Sequence, residues 1–407
     1  MVGLLTWVSF VVLPAAGADA FADELAAIQR RVAELKRQLG DKTGKPEVAD
    51  KFQAIPKNGR WLAAAEARQG FARLQAEVAK RRWWKIGLDP TKLDHALREP
   101  AAVISGCVHL QRAGLADPDA SLLLARDAAE FLIWAQAEAG AGGFPFPAFR
   151  GSSRDNAFVA AGRFLDRAEK AGKLAQVVRN GWAFEDEGDG GLQFDNGEAG
   201  AALFELHEIS HDTNHLAAAR RAADWTIPRP LAPNWNYNSF SVALLAKAFA
   251  VTGDRKYLEA ATRKARLGVI PGQLTDGPRA GRWLDAHNAR PAYHYIMLRG
   301  LAALAAAMPK DDPARPEIMQ SLQLGLRARN EDFLGPGAPN KDYAMEVLVL
   351  VNRHFATEKE FLRESLSVVA LDALAKLVSE QARRGRLPLG PRSWGMFLEY
   401  VAAQAER

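Results

Sequence analysis

The sequence predicts an all-α protein: an α/α toroid built from about six helical hairpins, with a helical extension at the N-terminus. Two observations carry this. The first is a repeat. Phe194–Trp225 reads as helix, turn and helix, and much of it returns further on: Asn196 falls on Asn238, Leu203 on Leu245, Asp212 on Asp254 and Leu216 on Leu258. Self-similarity at such a period marks a helical-repeat array. The second is composition. Hydrophobic residues make up 48% of the 407, with Ala and Leu abundant and β-branched runs few, so sheet is disfavoured. Closing the array into a ring removes the unprotected ends that an open solenoid would keep.

Residues 1–20, MVGLLTWVSFVVLPAAGADA, place small residues after an apolar run, and Ala18-Asp19-Ala20 fits a cleavage site. The segment predicts a signal peptide and a secreted or periplasmic protein, although no Lys or Arg precedes the apolar run. No later segment has the length and apolarity of a membrane span. Residues 21–58 hold a short heptad helix and a linker. Leu25, Ile28, Val32, Leu35 and Leu39 form one seam within 23–39, which serves either weak dimerisation or packing on the main domain. Gly40–Asn58 is polar with two prolines.

The toroid domain is expected over 59–407. Trp61–Trp84 has a helical pattern. First helices of hairpins then begin near Pro100, Asp155, Asn196, Asn238, Tyr293 and Asp342, with second helices at 119–139, 214–226, 254–267, 314–329 and 358–380. The partner after Asp155 falls at Leu174–Asn180, and a last helix, Ser393–Ala405, closes the array.

His207-Glu208-Ile209-Ser210-His211 matches the H-E-x-x-H zinc pattern, which needs both imidazoles on one helix face. The repeat aligns His211 with Gly253 in a turn, so the helix should end there, and no metal ligand is assigned. Glu185–Asp189 offers oxygen ligands for calcium, but reads more plainly as a solvated acidic loop. Cys107, the single cysteine, is flanked by apolar residues and reads as a buried small hydrophobe. The formal charge is +5, and no dense Lys/Arg run points to nucleic acid.

If the inner helices run in one direction, their N-termini meet at one mouth with partial positive charge and free N–H groups. Asp155, Asp195, Asn238 and Asp285 stand near these starts. Helix capping explains many of them, but not Trp235, Tyr237, Trp283 and His287 at the same mouth. Gly281–Gly300 is densest, with Arg282, Trp283, Asp285, His287, Asn288, Arg290 and Tyr293. Aromatic rings stack on sugars, Arg pairs with carboxylates, and His or Tyr moves protons.

Phe131–Pro147, FLIWAQAEAGAGGFPFP, followed by Arg154-Asp155-Asn156, resembles the corresponding region of family 10 pectate lyases. Those enzymes are α/α toroids that cleave acidic polysaccharide by β-elimination, so the resemblance implies this fold and an anionic polysaccharide or oligosaccharide as partner. The likeness spans a short stretch of the chain. Elimination needs a base, here His287 or Tyr293, with Arg282, Asn288 and Arg290 neutralising the carboxylate. Substrate contacts are expected from Trp235, Tyr237, Asn238 and Trp283. Hydrolysis needs two carboxyl groups, here from Asp155, Asp195 and Asp285, and unsaturated-uronyl hydrolases of this general fold place aspartates at comparable helix starts. A non-catalytic carbohydrate-binding platform is the third reading.

Overall fold

The computed structural model describes residues 15–39, 59–80, 97–114, 118–139, 142–144, 170, 190–285, 288–334 and 341–405. Within it the repeat is one turn built twice. At the first occurrence a helix ends at Ser210, His211 enters the left-handed region (φ 54°), and Asp212 caps the next helix by accepting from Asn214 N at 2.8 Å. At the second a helix ends at Thr252, Gly253 takes the same conformation (φ 71°), and Asp254 accepts from Lys256 N at 3.2 Å. Each cap contributes about 1 kcal/mol. His207 and His211 therefore do not share a helix; His207 Nδ1 donates to the Asp212 carbonyl at 2.9 Å.

In chain order the helices are α1 (Ala15–Leu39), α2 (Ala64–Lys80), α3 (Arg98–Arg112), α4 (Pro118–Ala139), α5 (Gly190–Ser210), α6 (Thr213–Thr226), α7 (Trp235–Thr252), α8 (Arg255–Gly268), α9 (Pro291–Ala307), α10 (Arg315–Phe333), α11 (Lys341–His354), α12 (Ser367–Arg383) and α13 (Pro391–Ala405), with short turns between. Six of these, α3, α5, α7, α9, α11 and α13, stand in a closed ring, each packed on the next and α13 packed on α3. Around them, α4 backs α3, α6 backs α5, α8 backs α7, α10 backs α9 and α12 backs α11. The outer partner of α13 is α2, from the other end of the chain. This is an α/α toroid.

The ring departs from expectation in one place. Asp155 and Leu174–Asn180 lie outside the described residues, yet α3 packs directly on α5, and Pro391–Ala405 holds the sixth inner position. The closing contact is tight because it is made through glycine: a Cβ on Gly395 would stand 2.6 Å from Gly106 O, and one on Gly106 would stand 2.6 Å from Pro391 O. The helix expected over 358–380 is also broken. Leu366 is left-handed (φ 58°), while Asn330 Nδ2 donates to Ser365 O at 2.8 Å and Asn352 Nδ2 to Ser367 O at 3.1 Å, so the main chain there bonds sideways to neighbouring helices.

Polar side chains staple inner to outer helices at equivalent points. Asn196 Nδ2 donates to Ala222 O at 3.0 Å, and Asn238 Nδ2 to Gly268 O at 2.8 Å. In the next hairpin His294 Nε2 donates to Gly325 O at 2.9 Å; burial, with Arg329 nearby, pushes its pKa well down, so it stays neutral. The Gly-Gly-Phe of residues 142–144 is a clasp: Gly143 lies against the Trp225 ring, and Phe144 N donates to Asn196 Oδ1 at 3.0 Å. Cys107 is buried, and burial pushes its thiol up to about 12.

The heptad seam of α1 packs on its own chain. Ile28, Val32 and Leu35 cover Leu274, Leu284 and Trp235, Glu24 pairs with Arg263, and Arg266 lies 4.6 Å from the Phe21 ring centre. Among the described residues no helix is long and apolar enough to cross a membrane.

Candidate active site

Inner helices of a toroid are apolar nearly all round, so a charge on one must find a partner across the ring. Four do. Arg299 Nη1 on α9 donates to Glu346 Oε2 on α11 at 2.7 Å, and Arg299 Nη2 pairs with Glu198 on α5. Arg392 Nη1 on α13 pairs with the other oxygen of Glu198, and Ser393 Oγ donates to Glu346 Oε1 at 2.9 Å. Burial alone would raise the Glu198 carboxyl; the Arg299 and Arg392 guanidiniums override it and hold the group at about 2. Burial and the Glu198 charge push the Tyr343 phenol up, 5.6 Å from the Arg299 guanidinium.

Above this neutral quartet lies a cavity of about 670 Å³. Its wall comes from the N-terminal halves of five inner helices: Arg98 and Glu99 on α3, Phe194 and Glu198 on α5, Tyr293 and Ile296 on α9, Asp342 and Tyr343 on α11, and Arg392 and Ser393 on α13. The N-termini therefore meet at one mouth, and their partial positive charges favour an anion there. A second cavity of about 220 Å³ lies below, walled by alanines of α5, α7 and α9 and by His109, Lys247 and Arg353. Glu198, Glu346 and Arg392 border both, so the quartet separates them.

Of the expected site residues, Tyr293 lines the mouth cavity. Asp195 stands just behind it, almost fully buried, accepting from Arg98 Nε at 2.7 Å. Tyr237 is half-buried beside Arg98, whose guanidinium keeps its proton because the Asp195 carboxylate outweighs the cost of burial. Arg290 is exposed at the start of α9. His287 and Asp155 lie outside the described residues, as does the acidic loop Glu185–Asp189.

The rest of the dense 281–294 stretch holds its own loop together. Trp283 is fully buried, donates from its indole N–H to Val269 O at 2.9 Å, and meets His294 edge to face. It cannot stack on a sugar. Arg282 contributes its main chain, accepting from Leu274 N at 2.8 Å. Asn288 is buried: its main-chain N and its Nδ2 both donate to Asp285 Oδ1, at 2.9 and 3.1 Å, and its Oδ1 accepts from Asn236 Nδ2 at 2.9 Å. Asp285 is thereby tied into a loop knot. Asn238 is the staple described above, and the Trp235 ring covers Gly272 while packing on α1. The structure thus places Trp283, Asn238, Asn288 and Trp235 outside the lining of the mouth cavity and Asp285 within the loop knot.

No protein-family model and no curated protein matches the chain. The solved structures similar to it include these two. One is a polysaccharide lyase, at TM-score 0.52 and 13% identity, covering 84% of this chain and 97% of that one. The other is a family 88 glycosyl hydrolase from Bacteroides vulgatus, at TM-score 0.51 and 12% identity, covering 85% and 99%. At such identities the likeness is one of fold.

Proposed function

We propose that the chain is a carbohydrate-active enzyme that cleaves a uronate-containing polysaccharide or oligosaccharide by β-elimination in the mouth cavity. The observation that carries this is the wall of that cavity: a tyrosine, Tyr293, stands among converging helix N-termini and arginines. Tyr293, acting as phenolate, takes the C5 proton, the freed electron pair forms the C4–C5 double bond, and the C4–O4 bond breaks, its oxygen taking the proton back from the Tyr293 phenol. The helix N-termini and the Arg98 guanidinium stabilise the charge that builds on the uronate as the C5–H bond breaks. One similar structure is titled a polysaccharide lyase, which supports the reading.

The test is a screen of purified protein against acidic polysaccharides, following ultraviolet absorbance of the unsaturated product. Tyr293→Phe should lower turnover by about 10²–10⁴-fold, the usual share of a general base. A rise on no substrate overturns the reading, and full activity in Tyr293→Phe overturns the assignment.

Hydrolysis is the second reading, favoured by one observation. Glu99 and Asp342 both line the cavity, and Glu99 has no hydrogen-bond or ion-pair partner among the described residues. New reducing ends without unsaturated product would establish it; saturable binding with neither would leave a non-catalytic platform. Export is proposed on residues 1–20, and an exported protein whose N-terminal sequence begins at Met1 would overturn removal of that segment.

A further inference from the structure

Two arginines, Arg98 and Arg392, line the mouth cavity, and Arg299 lies beneath them on the wall of the lower cavity. Arg299 spends both terminal nitrogens, on Glu346 and Glu198, and Arg392 spends one on Glu198. Arg98 differs. Its Nε donates to Asp195 Oδ1 at 2.7 Å, which leaves Nη1 and Nη2 without a partner among the described residues. Its guanidinium carbon lies 3.6 Å from the Phe194 ring centre, and Phe194 stacks on Phe240 at 3.8 Å with 15° between the rings. The side chain is thus held twice, by a buried carboxylate at its base and by an aromatic column beneath it, while its fork stays open.

We infer that Arg98 is a preorganised receptor for one carboxylate, which selects a uronate over the neutral sugar at the subsite it faces. The two terminal N–H groups match a planar carboxylate in a bidentate pair, and the rotamer entropy of a long side chain is already spent before the ligand arrives. A monoanion fits better than a phosphate monoester, because Glu99 and Asp342 share the cavity wall and repel a second negative charge. Asp195 acts through Arg98 as a positioning residue. The inference rests on the proposed function for its sugar, but its measurement does not require turnover.

The experiment is a calorimetric titration of the full-length protein with D-glucuronate, D-glucose and glucose 6-phosphate. Glucuronate is expected to bind saturably and at least about tenfold tighter than either control, the discrimination expected of one charge-assisted hydrogen bond. Arg98→Lys keeps the charge and loses the fork, so glucuronate should weaken about tenfold or more while glucose is unchanged. Asp195→Asn should reduce the glucuronate-to-glucose ratio without a comparable loss for glucose. No saturable glucuronate binding, tighter binding of the phosphate ester, or unchanged binding in a folded Arg98→Lys overturns the receptor. Glucuronate binding without turnover of any polysaccharide overturns the enzyme reading instead.

Discussion

Replacing Arg299 with Met is expected to cost about 3–5 kcal/mol of folding free energy, the range for breaking one partner out of a buried ionic network. The substitution leaves Glu346 with only the Ser393 hydroxyl and leaves Glu198 with Arg392 alone, both carboxylates being nearly inaccessible to water. Urea unfolding followed by circular dichroism at neutral pH measures it. The double variant Arg299→Met, Glu346→Leu should recover much of the loss, because an apolar pair of similar volume avoids the desolvation penalty. A loss below about 1 kcal/mol in the single variant, the value of an exposed pair, would mean that water solvates the quartet.

The same quartet sets an acid limit. Glu198 is held at about 2 in the folded protein against 4.5 for the free group. A depressed carboxyl pKa gives stability that is fully present above about pH 4.5 and is lost as pH falls toward 2. The difference corresponds to on the order of 3 kcal/mol. Glu205, also buried and also held at about 2 by His109 and Lys247 against the opposing effect of burial, acts in the same direction and window. Unfolding free energy should therefore fall steeply between pH 4.5 and 2, and the slope should be shallower in Glu198→Gln. A flat profile across that window would contradict the pairing.

The scaffold was legible because it repeats. Asn196 and Asn238, and His211 and Gly253, align in sequence and do the same mechanical work in space. A polar helix start at Asp155 looks like the others and predicts an inner helix there, whereas the sixth place in the described ring belongs to a helix paired with residues more than 300 positions earlier. Spacing along the chain cannot show that. The site was read less well. Density of polar and aromatic residues at 281–294 predicts a ligand surface, but an irregular loop beside a core has many main-chain groups to satisfy, and Asp285, Asn288 and Trp283 do that. The residues missed, Arg98, Glu198, Arg299, Glu346 and Arg392, had a quieter signal: single charges set among apolar neighbours, as in Ile296–Ala307 and Met345–Val351. A lone charge in a buried helix needs a partner, yet the partner sits on another helix at a separation that no local period encodes.

The pairing of α2 with α13 bears on how the protein is made. A linear array can gain or lose a unit at its end and stay folded, since each unit rests on its neighbour. Here the closing hairpin pairs α13 with α2 from far earlier in the sequence, so until α13 has been synthesised α3 and α11 present apolar flanks with nothing to cover them. A nascent or C-terminally truncated chain is therefore an open crescent with two adhesive edges, of the kind chaperones exist to shield. The fifteen residues of α13 close the ring all at once.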